Sequence, residues 1–190
     1  MKVTSAIAFI SSAFALSAQA ASVVHVDAAR DATVAYNAFL NKDGTYDAYT
    51  PKGRDRTLDT LRGTNDYRRI LLGFNLPGAI RDPSRIVQCR LNIPKPKDNV
   101  HENYVLTASA ASNNWEESSV DARTQLGQGR VIGASAMRNG KHRGAIDVTA
   151  ACRAAQQGRF SLLVDSNQPH VVFHSRNSGK EHFSVDIAVQ

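Results

Sequence analysis

Arg62, Tyr67 and Arg69 fall in one short stretch, LRGTNDYRRILLGFNL at residues 61–76. A guanidinium group holds a carboxylate or sulfate through paired, charge-assisted hydrogen bonds, which lysine does less well. Two arginines on one face would therefore suit an anionic partner. The same side chains could instead be solvated, or paired with Asp55, Asp59 or Asp66. Tyr67 could stack on a sugar ring, as could Tyr36. Beside Arg68 and Arg69 it could also be the base of a polysaccharide lyase, with the arginines neutralising a uronate. Neighbouring strand residues point to opposite faces, which counts against that second role.

The stretch itself dictates how these groups are held. Ile70, Leu72, Phe74 and Leu76 share one parity, and Arg69, Leu71, Gly73 and Asn75 share the other. Period-two alternation predicts a strand with one face in a core. Gly63-Thr64-Asn65-Asp66 reads as the turn joining it to a preceding strand that ends at Arg62. A hairpin with Arg62 and Arg69 on its outer side follows.

Other chemistry has little support. Gly-x-Ser-x-Gly, His-Glu-x-x-His, paired Cys-x-x-Cys and phosphate-binding glycine loops are all missing. Glu116 and Glu117 point apart in an extended chain, so they do not make a local glycosidase pair. His170 and His174 in one strand would stand about 13 Å apart, too far to share an ion. No cofactor is expected. Asp43 and Asp47, in an irregular stretch from 37 to 55, are the candidates for a structural calcium ion, without the spacing of a calcium loop. Trp115, the single tryptophan, could be a sugar platform or a plug for one end of the core; the plug is expected.

Charge and the N-terminal residues set the compartment. Lys2, an apolar run over residues 7–16 and Ala18-Gln19-Ala20 have the layout of a secretory leader. A cut after Ala20 leaves one domain over residues 21–190 and, by loss of Lys2, takes the formal charge from +6 to +5. The expected product is exported, monomeric, and bound neither to membrane nor to nucleic acid. A pI near 9.6 then favours an acidic polysaccharide as partner. Cys89 and Cys152 are the only cysteines. In an oxidising compartment they should bond; two buried free thiols are the alternative.

Strands are predicted at residues 22–27, 31–36, 57–62, 85–93, 104–110, 144–148, 160–164, 170–174 and 183–189, besides the one after the turn. Val87, Cys89, Leu91 and Ile93 should share a face. Residues 111–140 read as polar and irregular. One helix is predicted over 149–157, capped by Thr149 and stopped by Gly158. Many short strands with regular turns and one helix mean an all-β, antiparallel, jelly-roll-like β-sandwich.

Four segments carry a resemblance to a known family. They are LRGTNDYRRILLGFNLP (61–77), WEESSV (115–120), AIDVT (145–149) and VVFHSRNSGKEHF (171–183). In this order, from about Asp27 to the C terminus, they resemble the DNRLRE-type domains, also known as carbohydrate-binding module family 96. Arg62, Arg69 and Arg176 sit at that family's arginine positions. Gly73 stands where a basic residue is common, and Asn75 where Asp is usual. The resemblance implies a jelly-roll-like sandwich and binding of acidic polysaccharide, with alginate the described ligand class; a non-catalytic binding module is the first expectation. Arg62, Tyr67, Arg69, Arg176 and Lys180 are then the candidate ligand-binding residues, the arginines as one row. A polyuronate lyase and an extracellular structural or host-interaction protein are the alternatives.

Overall fold

Alternating apolar and polar side chains build two antiparallel sheets, packed face to face as a β-sandwich. The structure is a computed structural model that describes residues 22–37, 39–97, 103–127, 129–138, 144–168 and 170–190. The expected leader, residues 1–20, lies outside them. In chain order the strands are β1 (Ser22–Asp27), β2 (Arg30–Asn37), β3 (Thr57–Arg62), β4 (Asp66–Asn75), β5 (Ile86–Ile93), β6 (Tyr104–Ala111), β7 (Val131–Met137), β8 (Gly144–Asp147), β9 (Arg159–Ser166), β10 (His170–His174) and β11 (Ser184–Val189). One α-helix, α1 (Thr149–Arg153), lies between β8 and β9.

The smaller sheet runs β1-β11-β5-β8. The larger runs β10-β3-β4-β9-β6-β7, with β2 also paired to β4. Ile70, Leu72 and Phe74 of β4 meet Leu91, Leu106 and Ile187 in the core between the sheets. Phe74 stacks on Phe160 at 5.1 Å between ring centroids. The opposite face of β4 is not left bare. Leu71, with Val34 and Leu163, makes a second, smaller core beneath residues 112–127, sealed by Trp115. Trp115 is 4% exposed and donates from Nε1 to Ser161 Oγ at 3.0 Å. It plugs that outer core, as expected, and offers no ring to a sugar.

Three expectations about local structure need correction. Residues 131–137, expected to be irregular, form β7, whose short alternating side chains give a weak pattern. Val87 does not share the face of Cys89, Leu91 and Ile93. The β11–β5 register passes from Ala188 opposite Gln88 to Val189 opposite Ile86, so Val87 is the extra residue of a bulge and is exposed. The helix stops at Arg153, and Val148, not Thr149, is its N-cap. Thr149 Oγ1 is instead engaged with β5, accepting from the Cys89 N–H at 2.9 Å. Residues 156–159 leave the helix for a tight turn, in which Gln157 and Gly158 both have positive φ.

Cys89 on β5 and Cys152 on α1 are disulfide-bonded, with Cα atoms 6.4 Å apart. The bond fastens the helix to the smaller sheet. The two calcium candidates are engaged separately. Asp43 accepts from Thr45, while Asp47 holds Lys52 Nζ at 2.6 Å and Asn37 Nδ2 at 2.9 Å. Among the described residues no group of three acidic, His or Cys side chains is arranged to hold a metal ion.

Candidate functional site

The outer face of the larger sheet carries two tyrosines side by side. Tyr36 on β2 is the cross-strand partner of Tyr67 on β4, with ring centroids 5.9 Å apart and planes at 32°. Arg69 lies two residues along β4, on the same side, with Cζ 5.9 Å from the Tyr67 centroid. Arg62, opposite Tyr67 in the β3–β4 register, places its Cζ 5.7 Å from the same centroid. Hairpin register thus brings Arg62, Tyr67 and Arg69 together: Arg62 pairs across the hairpin with Tyr67, and Tyr67 and Arg69 share one parity of β4.

Two adjoining depressions share Tyr36, Tyr67 and Ala122. One, about 560 Å³, is walled by Arg69 and the rim Thr124–Gly127. The other, about 680 Å³, reaches past Phe39 and Tyr49 to the turn at Gly63–Asp66. Phe39 and Tyr49 are about half exposed. The result is a shallow trough with aromatic groups along it and volumes in the range of small-molecule sites, about 300–1,000 Å³. A third depression, about 520 Å³, lies by Asn113, Glu116 and Arg159. Its tryptophan is buried and gives it no stacking surface.

The cations near the trough are not equivalent. Arg62 Nη2 reaches Asp165 Oδ2 at 3.2 Å, and the Tyr67 hydroxyl donates to the same oxygen. Burial, with this bond second, raises the Tyr67 pKa; burial raises that of Tyr36 too. Arg68 is on the other face, held by Asp59 at 2.9 Å, Asp66 at 3.1 Å and Asp47 at 3.7 Å. Asp59 and Asp66 therefore serve Arg68, not Arg62 or Arg69. Arg123 is tied to Asp121, with Nε at 3.0 Å, and lies over Tyr49. Arg69 alone of this group has no carboxylate partner among the described residues, and its buried Nε has no acceptor.

Arg176 and Lys180 do not extend the row. The β3–β10 ladder runs from Leu61 opposite His170 to Thr57 opposite His174. Arg62 follows one end and Arg176 the other, so they are separated by more than the length of that ladder, about 13 Å. Arg176 is spent on Glu117, with Nε to Oε1 and Nη2 to Oε2 both at 2.8 Å, and its backbone N–H donates to buried Asp31. Lys180 lines a different depression, beside His25, Asp27 and His182. The single row of three arginines expected from the sequence is thus two separate arrangements. Asp165, Phe39, Tyr49 and the rim 124–127 were not legible as site residues. Asp165 has the outward parity of β9, but it shares that parity with Leu163, which reads as core.

The fold is an antiparallel sandwich with a shallow aromatic and cationic trough on the outer face of its larger sheet. Residues 22–187 match the model of carbohydrate-binding module family 96, and the chain belongs to that family. It is also 30% identical over 129 residues to an uncharacterized secreted protein of Arthroderma benhamiae, covering 67% of this chain and 65% of that relative. The chain thus spans slightly under two thirds of the relative's length. No helix among the described residues is long and apolar enough to cross a membrane.

Proposed function

We propose that this chain is a secreted, non-catalytic module that takes an acidic polysaccharide in the trough, with Arg69 holding a sugar carboxylate or sulfate and Tyr36 and Tyr67 stacking on the flanking rings. One observation carries the reading: Arg69, with no carboxylate partner among the described residues, lines one of two adjoining depressions beside the tyrosines that both share. Arg62 takes a supporting part, because Asp165 already neutralises it. Arg176 and Lys180 act elsewhere.

A guanidinium–carboxylate contact contributes about 1.5–3 kcal/mol, so Arg69→Gln should weaken binding roughly tenfold or more. Alginate, the ligand class implied by the family resemblance, is the first polymer to titrate. Affinity should fall between about 20 and about 500 mM salt, since exposed charge pairs are screened over ~8 Å at physiological ionic strength. Salt-independent binding, or unchanged affinity in Arg69→Gln, would refute the assignment.

A lyase would need Tyr67 as a base. Burial and the bond to Asp165 raise its pKa and keep the phenol protonated at neutral pH, which disfavours that chemistry. Polyuronate incubated with the protein should give no rise in the ultraviolet absorbance of unsaturated product.

A further inference from the structure

The trough does not end at its rim. Thr124 lines the depression that holds Arg69 and also the third depression, of about 520 Å³. Sheet register fixes how far the two reach. Arg159, in the third depression, stands opposite Asn75. Asn75 is on β4 beyond Arg69, with the same outward parity, about 20 Å along the strand. One outer face therefore carries the trough, Thr124 and the third depression in succession. That span suits several sugars, not one.

The third depression offers hydrogen bonds, with neither stacking nor net charge. Its tryptophan is buried, and Arg159 shares the wall with Glu116, whose carboxylate is 3.9 Å from Arg30. The exposed amides Asn114, Gln156 and Gln157 complete the lining, and their side chains bond to none of the described residues. An amide presents donors and an acceptor together, which matches sugar hydroxyls. The wall is also braced. Trp115 Nε1 donates to Ser161 Oγ at 3.0 Å, Ser161 Oγ donates to Asn113 Oδ1 at 2.8 Å, and Asn113 Nδ2 donates to the Arg159 carbonyl at 2.9 Å. This chain fastens the turn at 156–159 to the covering segment. In that turn Gln157 is the one non-glycine among the described residues with positive φ, 52°. Glycine would sit there with less strain. A strained position that holds an exposed amide in the wall of a depression points to use of the side chain.

Resting on the trough as the glycan site, we propose that the polysaccharide continues over Thr124 into this depression, where Gln157 and the neighbouring amides hold the hydroxyls of further sugars. The protein then grips a longer stretch of polymer than the trough covers, and it grips the added stretch without charge. The test is calorimetric titration of the whole protein with a tetrauronate and an octauronate from alginate, at about 20 and about 500 mM salt. Gln157→Gly removes the amide and relieves the backbone, so its melting temperature should be equal or higher. It should weaken octauronate binding roughly fivefold, the worth of one neutral hydrogen bond, and leave tetrauronate binding unchanged. This loss should be the same at both salt concentrations. The loss in Arg69→Gln should instead affect both lengths and shrink in high salt. Equal losses for the two lengths in Gln157→Gly, or none for the octauronate, would overturn the extension and leave the trough as a glycan site. A loss that vanishes in high salt would overturn the assignment to hydroxyls. Binding of neither oligosaccharide would remove both the extension and the reading it rests on.

Discussion

Arg176 grips Glu117 with two parallel hydrogen bonds of 2.8 Å. This pair joins the turn after β10 to the segment that covers the outer core. Glu117 Oε1 also accepts the backbone N–H of Asp31 at 2.7 Å, so one carboxylate ties together three parts of the chain. Arg176→Ala should cost on the order of 2 kcal/mol, because it removes charged hydrogen bonds and leaves Glu117 half-buried without its cation. Glycan affinity should be retained, in contrast to Arg69→Gln. Thermal melting with a parallel titration checks both parts. Burial pushes the Glu117 carboxyl up, but Arg176 and the Asp31 N–H outweigh it and the pKa is lowered. The pair's contribution is therefore present above the unfolded carboxyl value, about 4.5, and is lost as pH falls through the folded one. The acid limb of a stability-pH curve should flatten in Arg176→Ala.

That pair also marks how far the sequence could be read. Alternation at Ile70, Leu72 and Phe74 revealed the main core and the hairpin, and with them the neighbourhood of Arg62, Tyr67 and Arg69. Alternation describes one strand at a time, however. It does not say that Arg176 lies past the far end of the β3–β10 ladder, nor that Glu117 is waiting there. Charge content was equally ambiguous. Arg68 and Arg69 are adjacent and chemically identical, yet one is surrounded by three carboxylates and the other has none among the described residues, because strand geometry turns them to opposite faces. Leu71 and Leu163 hid the outer core, since apolar residues on both parities look like noise in a half-buried strand. Glycine 73 and the bulge at Val87 depended on partners remote in sequence.

Cys89 and Cys152 are separated by 63 positions, so their bond closes a long loop. The chain-entropy treatment gives about 4 kcal/mol for such a cross-link. Reduction should lower the melting temperature by several degrees and slow the gel mobility of the denatured chain. Because α1 touches the smaller sheet and not the trough, folded reduced protein should keep its glycan affinity. Unchanged melting on complete reduction would refute the stabilising role.

His25 makes a pH-dependent contact at the edge of the smaller sheet. Its Nδ1 lies 2.7 Å from Asp186 Oδ1 on β11, and its Nε2 lies 3.5 Å from Asp27. His182 Nε2 stands 3.5 Å from the same Asp27 oxygen. The bond to Asp186 is the main cause of a raised His25 pKa, working against burial, the second-largest effect. A raised folded value means that the contribution is fully present below the unfolded pKa, about 6.5, and is lost as pH rises through the folded one. His25 is more than half exposed, so the effect should stay below about 1 kcal/mol. Hydrogen exchange in β1 should slow from pH 8 to pH 5.5 after correction for intrinsic rates, and His25→Gln should abolish that difference. Equal protection factors at both pH values in the unsubstituted protein would contradict it.

The surroundings of Gly73 account for a glycine where the resemblance led us to expect a basic residue. A Cβ there would meet Trp115 Cζ2 at 3.0 Å and Arg30 Nε at 3.1 Å. Arg30 is the cross-strand partner of Gly73, stacks on Trp115 with Cζ 4.4 Å from the ring centroid and donates to the Trp115 carbonyl. The space that a basic side chain at position 73 would occupy is thus filled by a basic side chain from the neighbouring strand. Gly73→Ala should displace the Arg30–Trp115 stack and cost about 1–3 kcal/mol, the usual range for overpacking. Gly73→Arg should cost more, because neither the indole nor the guanidinium can move aside without exposing the outer core. Since Trp115 is the single tryptophan, its fluorescence reports the event directly. Emission should move to longer wavelength in Gly73→Ala as the indole gains solvent, and part of the shift should reverse in Gly73→Ala combined with Arg30→Ala, where the crowding is relieved. An unshifted emission maximum with unchanged melting would show that the close approach of Gly73 to Trp115 does not constrain the fold.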